Sequence, residues 1–290
     1  AAEPLRTLIR VIVWQSRFMT DAEAEPLTVQ ALKLLDRTAL SDLDVRWERA
    51  AAFRRSGRGR LRSDPQEAMR RLKESRRLFR DIDDRWEEAL TLDVMGQAAL
   101  IGGDFTAARS YHERQLTLAR RLGNPNAQAL ALRGLGDVAR ETGRYQEATR
   151  LTEASLALSQ KVGNISAAAT ALHYLGNQDL MVGAFDKALA RFEAFGALYE
   201  DLGKPSIRPN TMKTTVLMLT GRYTEARRIG EASLQAARDA GITYLEAWIS
   251  MLFCGLALVE GACDRAVECA DLSVDVYRSQ RMPWFLAFAL

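Results

Sequence analysis

A short submotif recurs along this chain at a step of about 40 residues. Each copy has a Gly, a variable residue, an aromatic residue and, three positions later, an Ala. The clearest copies are Gly103-Asp104-Phe105 with Ala108, Gly143-Arg144-Tyr145 with Ala148, Gly183-Ala184-Phe185 with Ala188, and Gly221-Arg222-Tyr223 with Ala226. The intervals between these alanines are 40, 40 and 38 residues. The frame extends back to Ala68 and on to Gly261 with Ala266. Such a period predicts stacked units that bury their apolar faces only against their neighbours.

The repeat unit reads as a pair of helices. Apolar residues at helical spacing predict helix A over 125–142, with Gly143 as its stop signal. A second apolar stripe predicts helix B from Tyr145 to Val162, where Gly163 suits a left-handed C-cap. The small residues Gly136 and Ala148 let the two helices approach closely. The repeat unit is therefore predicted to be an antiparallel helix hairpin.

The pattern predicts an all-α chain with about fifteen helices. The best candidates for strands, Leu8 to Trp14 and Thr214 to Leu219, fall inside the helical frame. We expect one solenoid domain over 1–290: a divergent hairpin in 1–44, about six repeats in 45–282, and the start of a truncated helix in 283–290. The chain is expected to be a fragment of a larger protein.

The packing residues of the copies at positions 96, 136 and 176 carry a family resemblance. Each has Gly in helix A, a small residue twelve positions later, and an aromatic residue just after the Gly between the helices. This pattern resembles the tetratricopeptide repeat, in a form longer than the usual period of about 34 residues. It is similar to the sensor arrays of bacterial STAND-type signalling ATPases and transcriptional regulators. The resemblance implies a right-handed superhelical solenoid of about seven antiparallel hairpins.

The resemblance also implies a ligand groove lined by the A helices. In this family the exposed positions lie three before, one after and four after the helix A glycine. Carried over to this sequence, the polar groove residues are Asp93, Gln97, Arg133, Asp137, Arg140, His173, Asn177, Thr211 and Thr215. Asn177 stands where peptide-binding members hold a ligand backbone. Toward the C-terminus Met218, Met251 and Leu258 make the implied groove apolar, so a peptide with polar and hydrophobic portions would suit it.

A basic segment departs from the repeat. Between Arg49 and Arg80 there are twelve basic and three acidic residues. Helical spacing places two sets of three on common faces, and together they form a predicted basic docking face: Arg54, Arg58 and Arg62, then Arg70, Lys73 and Arg77. Like charges at this spacing call for a counter-ion or an acidic partner. Three interpretations stay open: a solvated face, docking of another domain of the same parent chain, and binding of nucleic acid. The segment lacks interleaved aromatic residues for base stacking.

Little in the sequence supports catalysis. Two histidines, placed in different repeats, give almost no material for a metal cluster or a His-based triad. The glycines follow the repeat period and form no phosphate-binding loop. We therefore predict no enzymatic activity, no metal and no cofactor. The three cysteines have no paired spacing, which favours reduced thiols. No apolar run approaches the length of a membrane span. We therefore expect a cytoplasmic protein without membrane partners.

These features predict a recognition platform for a protein or peptide ligand. By resemblance, it would be the ligand-sensing or partner-docking array of a bacterial multidomain signalling protein; high Arg and Ala content agrees with a bacterial source. Two alternative functions stay open. One is a small-molecule sensor that uses the apolar C-terminal groove, and the other is a nucleic-acid-binding array that uses residues 49–80.

Overall fold

The computed structural model describes residues 2–16, 19, 21–36, 43–61 and 63–279, and these ranges contain fourteen α-helices and no strand. The helices are α1 Ala2–Gln15, α2 Asp21–Leu35, α3 Arg46–Gly59, α4 Pro65–Asp81, α5 Arg85–Ile101, α6 Phe105–Arg121, α7 Pro125–Glu141, α8 Tyr145–Lys161, α9 Ile165–Met181, α10 Phe185–Asp201, α11 Ile207–Leu219, α12 Tyr223–Asp239, α13 Thr243–Val259 and α14 Cys263–Ser279. The predictions of an all-α chain and of helix hairpins are confirmed. The predicted helix in 283–290 lies outside the described residues.

A half-repeat of 20 residues explains the uniform helix length. From α4 to α10 every helix has 17 residues. An Asp or Asn side chain often begins the helix by accepting a hydrogen bond from the backbone N–H three residues later, as at Asp64, Asp84, Asp104, Asn124 and Asn164. Most of these helices end in a turn with a left-handed Gly, such as Gly163 with φ of 68°.

The helix α11 breaks this rule and accounts for the 38-residue interval. It has 13 residues and begins four positions after Gly203, whereas α9 begins two positions after Gly163. Pro205 in the turn disfavours helical backbone at the residue before it. Pro209 lies in the first turn of α11, where its missing N–H is tolerated.

The chain divides into two compact units, Ala1–Gly163 (unit 1) and Asn164–Leu290 (unit 2). Within each unit consecutive helices pack as antiparallel hairpins, and each odd-numbered helix is helix A of its hairpin. In unit 1 the A helices α1, α3, α5 and α7 contact each other in order. In unit 2 the same holds for α11 and α13. The division of 1–290 into a divergent hairpin and six repeats in one domain stays a prediction.

Small residues hold the hairpins together. The repeat alanines are almost completely buried, with Ala108, Ala148 and Ala188 at 0% exposure. A Cβ added to Gly136 would stand 2.7 Å from Thr152 Oγ1 and 3.3 Å from the Ala148 carbonyl oxygen. The predicted close approach of α7 and α8 at Gly136 and Ala148 is therefore what the structure shows.

Candidate functional site

A cleft of about 550 Å³ lies along the A helices of unit 1. Because α3, α5 and α7 are neighbours, side chains from all three line it, together with residues of α1. Its polar lining consists of Arg54, Arg55, Arg58, Asp93, Gln97 and Arg133. We call this cavity the A-helix cleft. The structure thus brings three of the predicted groove residues together with two residues of the predicted basic face.

Asp93 is the acidic group of the cleft. It is only 6% exposed, because it lies on α5 between two neighbouring A helices. Its Oδ2 accepts a hydrogen bond of 2.7 Å from Gln97 Nε2, one helical turn further on. Its other oxygen, Oδ1, is buried and has no hydrogen-bond partner in the described part of the chain. A buried carboxyl with half of its acceptors unused is costly unless a further donor reaches it.

His112, on α6, lies beneath α5 and α7. It is fully buried, and its ring touches the backbone of both A helices: a Cβ on Gly96 or on Gly134 would stand 2.4 Å or 2.3 Å from ring atoms. Burial lowers the pKa of His112, although the nearby Asp93 acts in the opposite direction. The ring is therefore neutral at pH 7, with Nδ1 3.2 Å from Gln115 Oε1.

The part of α7 next to the cleft carries alternating charges. Arg133 is half-buried, and its Nε has no hydrogen-bond partner among the described residues. Burial raises the pKa of Asp137 to about 6, against the opposing effect of Arg133 and Arg140. Arg140 lies 2.7 Å from Glu141 at the end of the same helix. Side chains of opposite charge therefore lie close together on α7, and not every one of them is neutralised by a partner.

The predicted basic docking face is divided between two cavities in the described residues, and its role in docking stays a prediction. Arg54 and Arg58 line the A-helix cleft. Arg54 is paired with the carboxylate of Glu87 on α5 and lies 5.4 Å from the centre of the Phe79 ring, so its charge is largely compensated inside the fold. Arg62 lies outside the described residues.

The other half of the basic face lies on α4 and has its own counter-ions. Arg70 binds Glu67 at 2.6 Å, and Arg77 binds Glu74 at 2.6 Å and Asp81 at 2.8 Å. The hydrogen bonds from Arg70 and Arg71 lower the pKa of Glu67 to about 2. Lys73 and Arg77 contribute to a cavity of about 520 Å³ whose basic lining is Lys73, Arg76, Arg77, Arg80 and Arg114. We call this cavity the B-helix groove.

In unit 2 the predicted groove residues make local contacts. On α9, Asn177 Nδ2 lies 3.2 Å from His173 Nε2, and the His173 ring lies 5.5 Å from that of Phe195. Thr211 is fully buried and donates to the Ile207 carbonyl, so its hydroxyl is not offered at the surface. Thr215 is half-buried and donates in the same way to the Thr211 carbonyl.

The sequence interpretation missed His112 as a part of the site. A signal was present at the position two residues before the helix A glycine. Val94 and Tyr174 occupy it in the neighbouring repeats, whereas α7 has Gly134 there. An extra glycine in the middle of a helix often marks the close approach of another group, and here that group is the imidazole ring.

The described ranges contain few groups that could support another kind of chemistry. No set of three or more His, Cys, Asp or Glu side chains there is arranged to hold a metal ion. Cys254, Cys263 and Cys269 are free thiols. None of the described helices is both long enough and apolar enough to traverse a bilayer.

Comparison with known proteins identifies the repeat. Residues 87–161, which include most of α5 and all of α6 to α8, match the family model described as tetratricopeptide repeat. A sequence search of curated proteins gives no significant match.

Solved structures with the same fold include two Rap proteins and a STAND protein with a tetratricopeptide repeat sensor. A Rap protein complexed with Competence and Sporulation Factor has a TM-score of 0.69 at 12% identity, covering 100% of this chain and 96% of that one. The apo form of RapI has a TM-score of 0.65 at 12% identity, covering 94% of this chain and 98% of that one. A STAND protein with a tetratricopeptide repeat sensor from Pyrococcus horikoshii has a TM-score of 0.69 at 13% identity, covering 91% of this chain and 42% of that one. The hairpins on both sides of residues 87–161 repeat the same architecture, and the chain has the α-solenoid fold of tetratricopeptide-repeat proteins with a period of about 40 residues.

Proposed function

We propose that this chain is a non-enzymatic scaffold that recognises a peptide or a protein through its A helices. The observation that carries the proposal is the A-helix cleft of unit 1, which combines a volume of about 550 Å³ with charged groups of both signs. Asp93, Gln97, Arg133 and Asp137 are the proposed ligand-contacting residues of unit 1. His173 and Asn177 have the corresponding role in unit 2.

The structural neighbours support a role in signalling. One of them is a Rap protein complexed with Competence and Sporulation Factor, and another is a signal transduction ATPase of the STAND class with a tetratricopeptide repeat sensor. Tetratricopeptide repeats are defined by packing residues, so function depends on the side chains that each array exposes. We propose that this array senses a ligand or docks a partner in a bacterial, cytoplasmic, multidomain signalling protein. The other domains of that parent chain are then natural partners.

Affinity capture from a lysate of the source organism tests this function. The chain is used as bait in three forms: unchanged, with Arg133→Gln and Asp137→Asn in unit 1, and with Arg150→Gln and Asp201→Asn as a charge-matched control at exposed sites. We expect a specific partner with the unchanged chain and with the control, and at least tenfold less of it with the cleft variant. Equal recovery by all three forms contradicts the site, and the lack of any specific partner contradicts the function.

The B-helix groove favours a second candidate function, the binding of nucleic acid. Five basic side chains line it, with Asp81 as the acidic residue of the lining. Phosphate contacts of this kind weaken steeply with salt. The double charge reversal Lys73→Glu and Arg77→Glu is expected to abolish retention of a single-stranded 20-mer at low salt, measured by fluorescence anisotropy. Unchanged affinity in this variant eliminates the candidate.

A further inference from the structure

The charged side chains of the A-helix cleft are not all paired with one another. Asp93 is buried and no cationic side chain forms an ion pair with it in the described chain; its one hydrogen bond comes from the neutral amide of Gln97. Its Oδ1 has no partner. A carboxylate removed from water gains most from a charge-assisted donor, which here is not supplied by the lining. The site is therefore electrostatically prepared for a cation.

Two basic side chains of the same cleft also lack an acidic partner in the described residues. Arg133, on the next A helix, has a buried Nε without a hydrogen-bond partner, and no ion pair involves it within the described residues. Arg58 is exposed on the cleft wall and likewise has no acidic partner in the described ranges. Arg54 differs from both, because Glu87 already neutralises it. The cleft thus offers two guanidinium groups to an anion.

No ion pair joins Asp93 to Arg133 in the described residues. The backbones of α5 and α7 both rest on the His112 ring, which leaves no room for a Cβ at Gly96 or Gly134. The ring is fully buried and neutral, so it separates the helices without contributing a charge. The helices that carry Asp93 and Arg133 are therefore held at a fixed separation, and a ligand gains binding energy by inserting both signs of charge between them.

We propose that the A-helix cleft takes a short peptide segment with an ammonium group that binds Asp93 and a carboxylate that binds Arg133 and Arg58. The proposal rests on the proposed peptide-recognition function and specifies its ligand. A volume of about 550 Å³ lies within the range of about 300–1,000 Å³ that is usual for small-ligand sites, so it fits a few residues of a peptide. The ammonium can come from the peptide N-terminus or from a lysine side chain.

Three libraries of random hexapeptides test the proposal and separate the two sources of the ammonium group. All have an amidated C-terminus, one fixed glutamate, and no arginine or histidine. The first has a free N-terminus and no lysine, the second an acetylated N-terminus and one lysine, and the third an acetylated N-terminus and no lysine. Each library is mixed with the full chain, and peptides retained after rapid gel filtration are quantified by mass spectrometry. We expect retention from the first or the second library and none from the third.

Three charge-removing variants assign the charges. Asp93→Asn keeps the acceptor for Gln97 and is expected to reduce retention of ammonium-bearing peptides about tenfold or more, in line with the strength of charge-assisted hydrogen bonds. Arg133→Gln is expected to remove the advantage that these peptides have over a matched library in which glutamine replaces the fixed glutamate. Arg58→Gln, at an exposed position, is expected to weaken this advantage without any effect on folding. The control variants Asp201→Asn and Arg150→Gln should bind as the unchanged chain does.

The outcomes distinguish the assignment of the ligand from the proposed peptide recognition. If the third library is retained as well as the others, or if Asp93→Asn binds ammonium-bearing peptides with unchanged affinity, the ligand assignment is wrong while peptide recognition stands. If the unchanged chain retains peptides from none of the libraries, both the assignment and peptide recognition in this cleft are overturned. A circular dichroism melting curve for each variant shows that lost binding is not lost folding.

Discussion

Units 1 and 2 have the same hairpin architecture and differ in the side chains on their A helices. In unit 1 these helices carry Asp93 and Arg133, which line a cleft. In unit 2 the threonines of α11 donate to the backbone of their own helix, as Thr211 does to Ile207. Large apolar residues such as Met181 and Val259 are about 60% exposed at the ends of α9 and α13. The architecture therefore depends on buried Gly and Ala, whereas the proposed recognition depends on other residues, on the cleft-lining side of helix A.

Buried glycines give the largest expected effects in both units. Gly134→Ala in unit 1 and Gly176→Ala in unit 2 would each place a Cβ about 2.3–2.5 Å from a ring, of His112 and of Phe192 respectively. Overpacking of this severity is expected to cost about 3 kcal/mol or more of the free energy of unfolding, measured by urea denaturation. The matched control is Gly196→Ala, whose Cβ would be 3.6 Å from Pro209 and which should be neutral or slightly stabilising.

A double-mutant cycle identifies the ring as the cause in unit 1. In the His112→Ala background, Gly134→Ala should cost about 0.5 kcal/mol or less, because the clashing group is gone. A full penalty in that background contradicts the packing described for α6 and α7.

Overpacking the repeat alanine comes next in size. Ala148 is fully buried where α8 meets α7. Ala148→Leu is expected to lower the free energy of unfolding by about 1–3 kcal/mol or more. The equivalent Ala188→Leu in unit 2 should cost a similar amount, since this residue is architectural in both units. Thermal denaturation that shows no loss in either variant contradicts the common frame.

Because of Asp137, the stability of unit 1 is expected to depend on pH in a way that the stability of unit 2 does not. Its position in the repeat is occupied by the neutral Asn177 in unit 2. The pKa of Asp137 is about 6 in the folded chain and about 3.9 in an unfolded one, so folding favours its protonated form. The resulting cost is absent below pH 4, grows as the pH rises to 6, and is complete above it.

Replacing Asp137 by Asn should therefore stabilise the chain by about 3 kcal/mol at pH 8 and leave its stability unchanged at pH 4. Chemical denaturation at several pH values measures this difference. A gain that does not vary with pH contradicts the assigned pKa. A residue that costs stability at neutral pH is a reasonable candidate for ligand binding.

The smallest expected effect concerns a turn. Asp83 has a φ of 55°, whereas glycine takes the equivalent left-handed position in the later turns, from Gly103 to Gly261. Asp83→Gly is expected to stabilise the chain by about 0.5 kcal/mol, because glycine adopts this backbone without strain. The Arg85 ion pair that is lost lies at the surface and contributes little. A stability decrease measured by thermal denaturation contradicts this.

The fold could be predicted from the sequence because the packing residues recur at a constant step. The expected helix A over 125–142 is α7, Pro125–Glu141. Local signals such as Gly143 and the Asn124 N-cap are sufficient for boundaries of this kind. The family resemblance could also be read from the sequence, since it depends on the same glycines and alanines.

The site could be predicted only in part, because its charges pair over long distances in the sequence. Arg54 is neutralised by Glu87, 33 residues away, and Arg60 by Glu25, 35 residues away. A count of charges within residues 49–80 does not include these partners. For the same reason Arg58 could not be placed in one cleft with Asp93 from the sequence, since they become neighbours only when α3 and α5 are packed together.

Site-specific photo-crosslinking tests most directly whether recognition belongs to the A helices of unit 1. A photoreactive phenylalanine replaces Leu130, which lines the cleft on α7, or Thr170, which has the same repeat position on α9 of unit 2. Each bait is irradiated in lysate of the source organism, and the crosslinked species are identified by mass spectrometry. The account predicts a specific adduct from position 130 that the Asp93→Asn substitution removes. An adduct from position 170 alone, or one from position 130 that Asp93→Asn leaves unchanged, would contradict it.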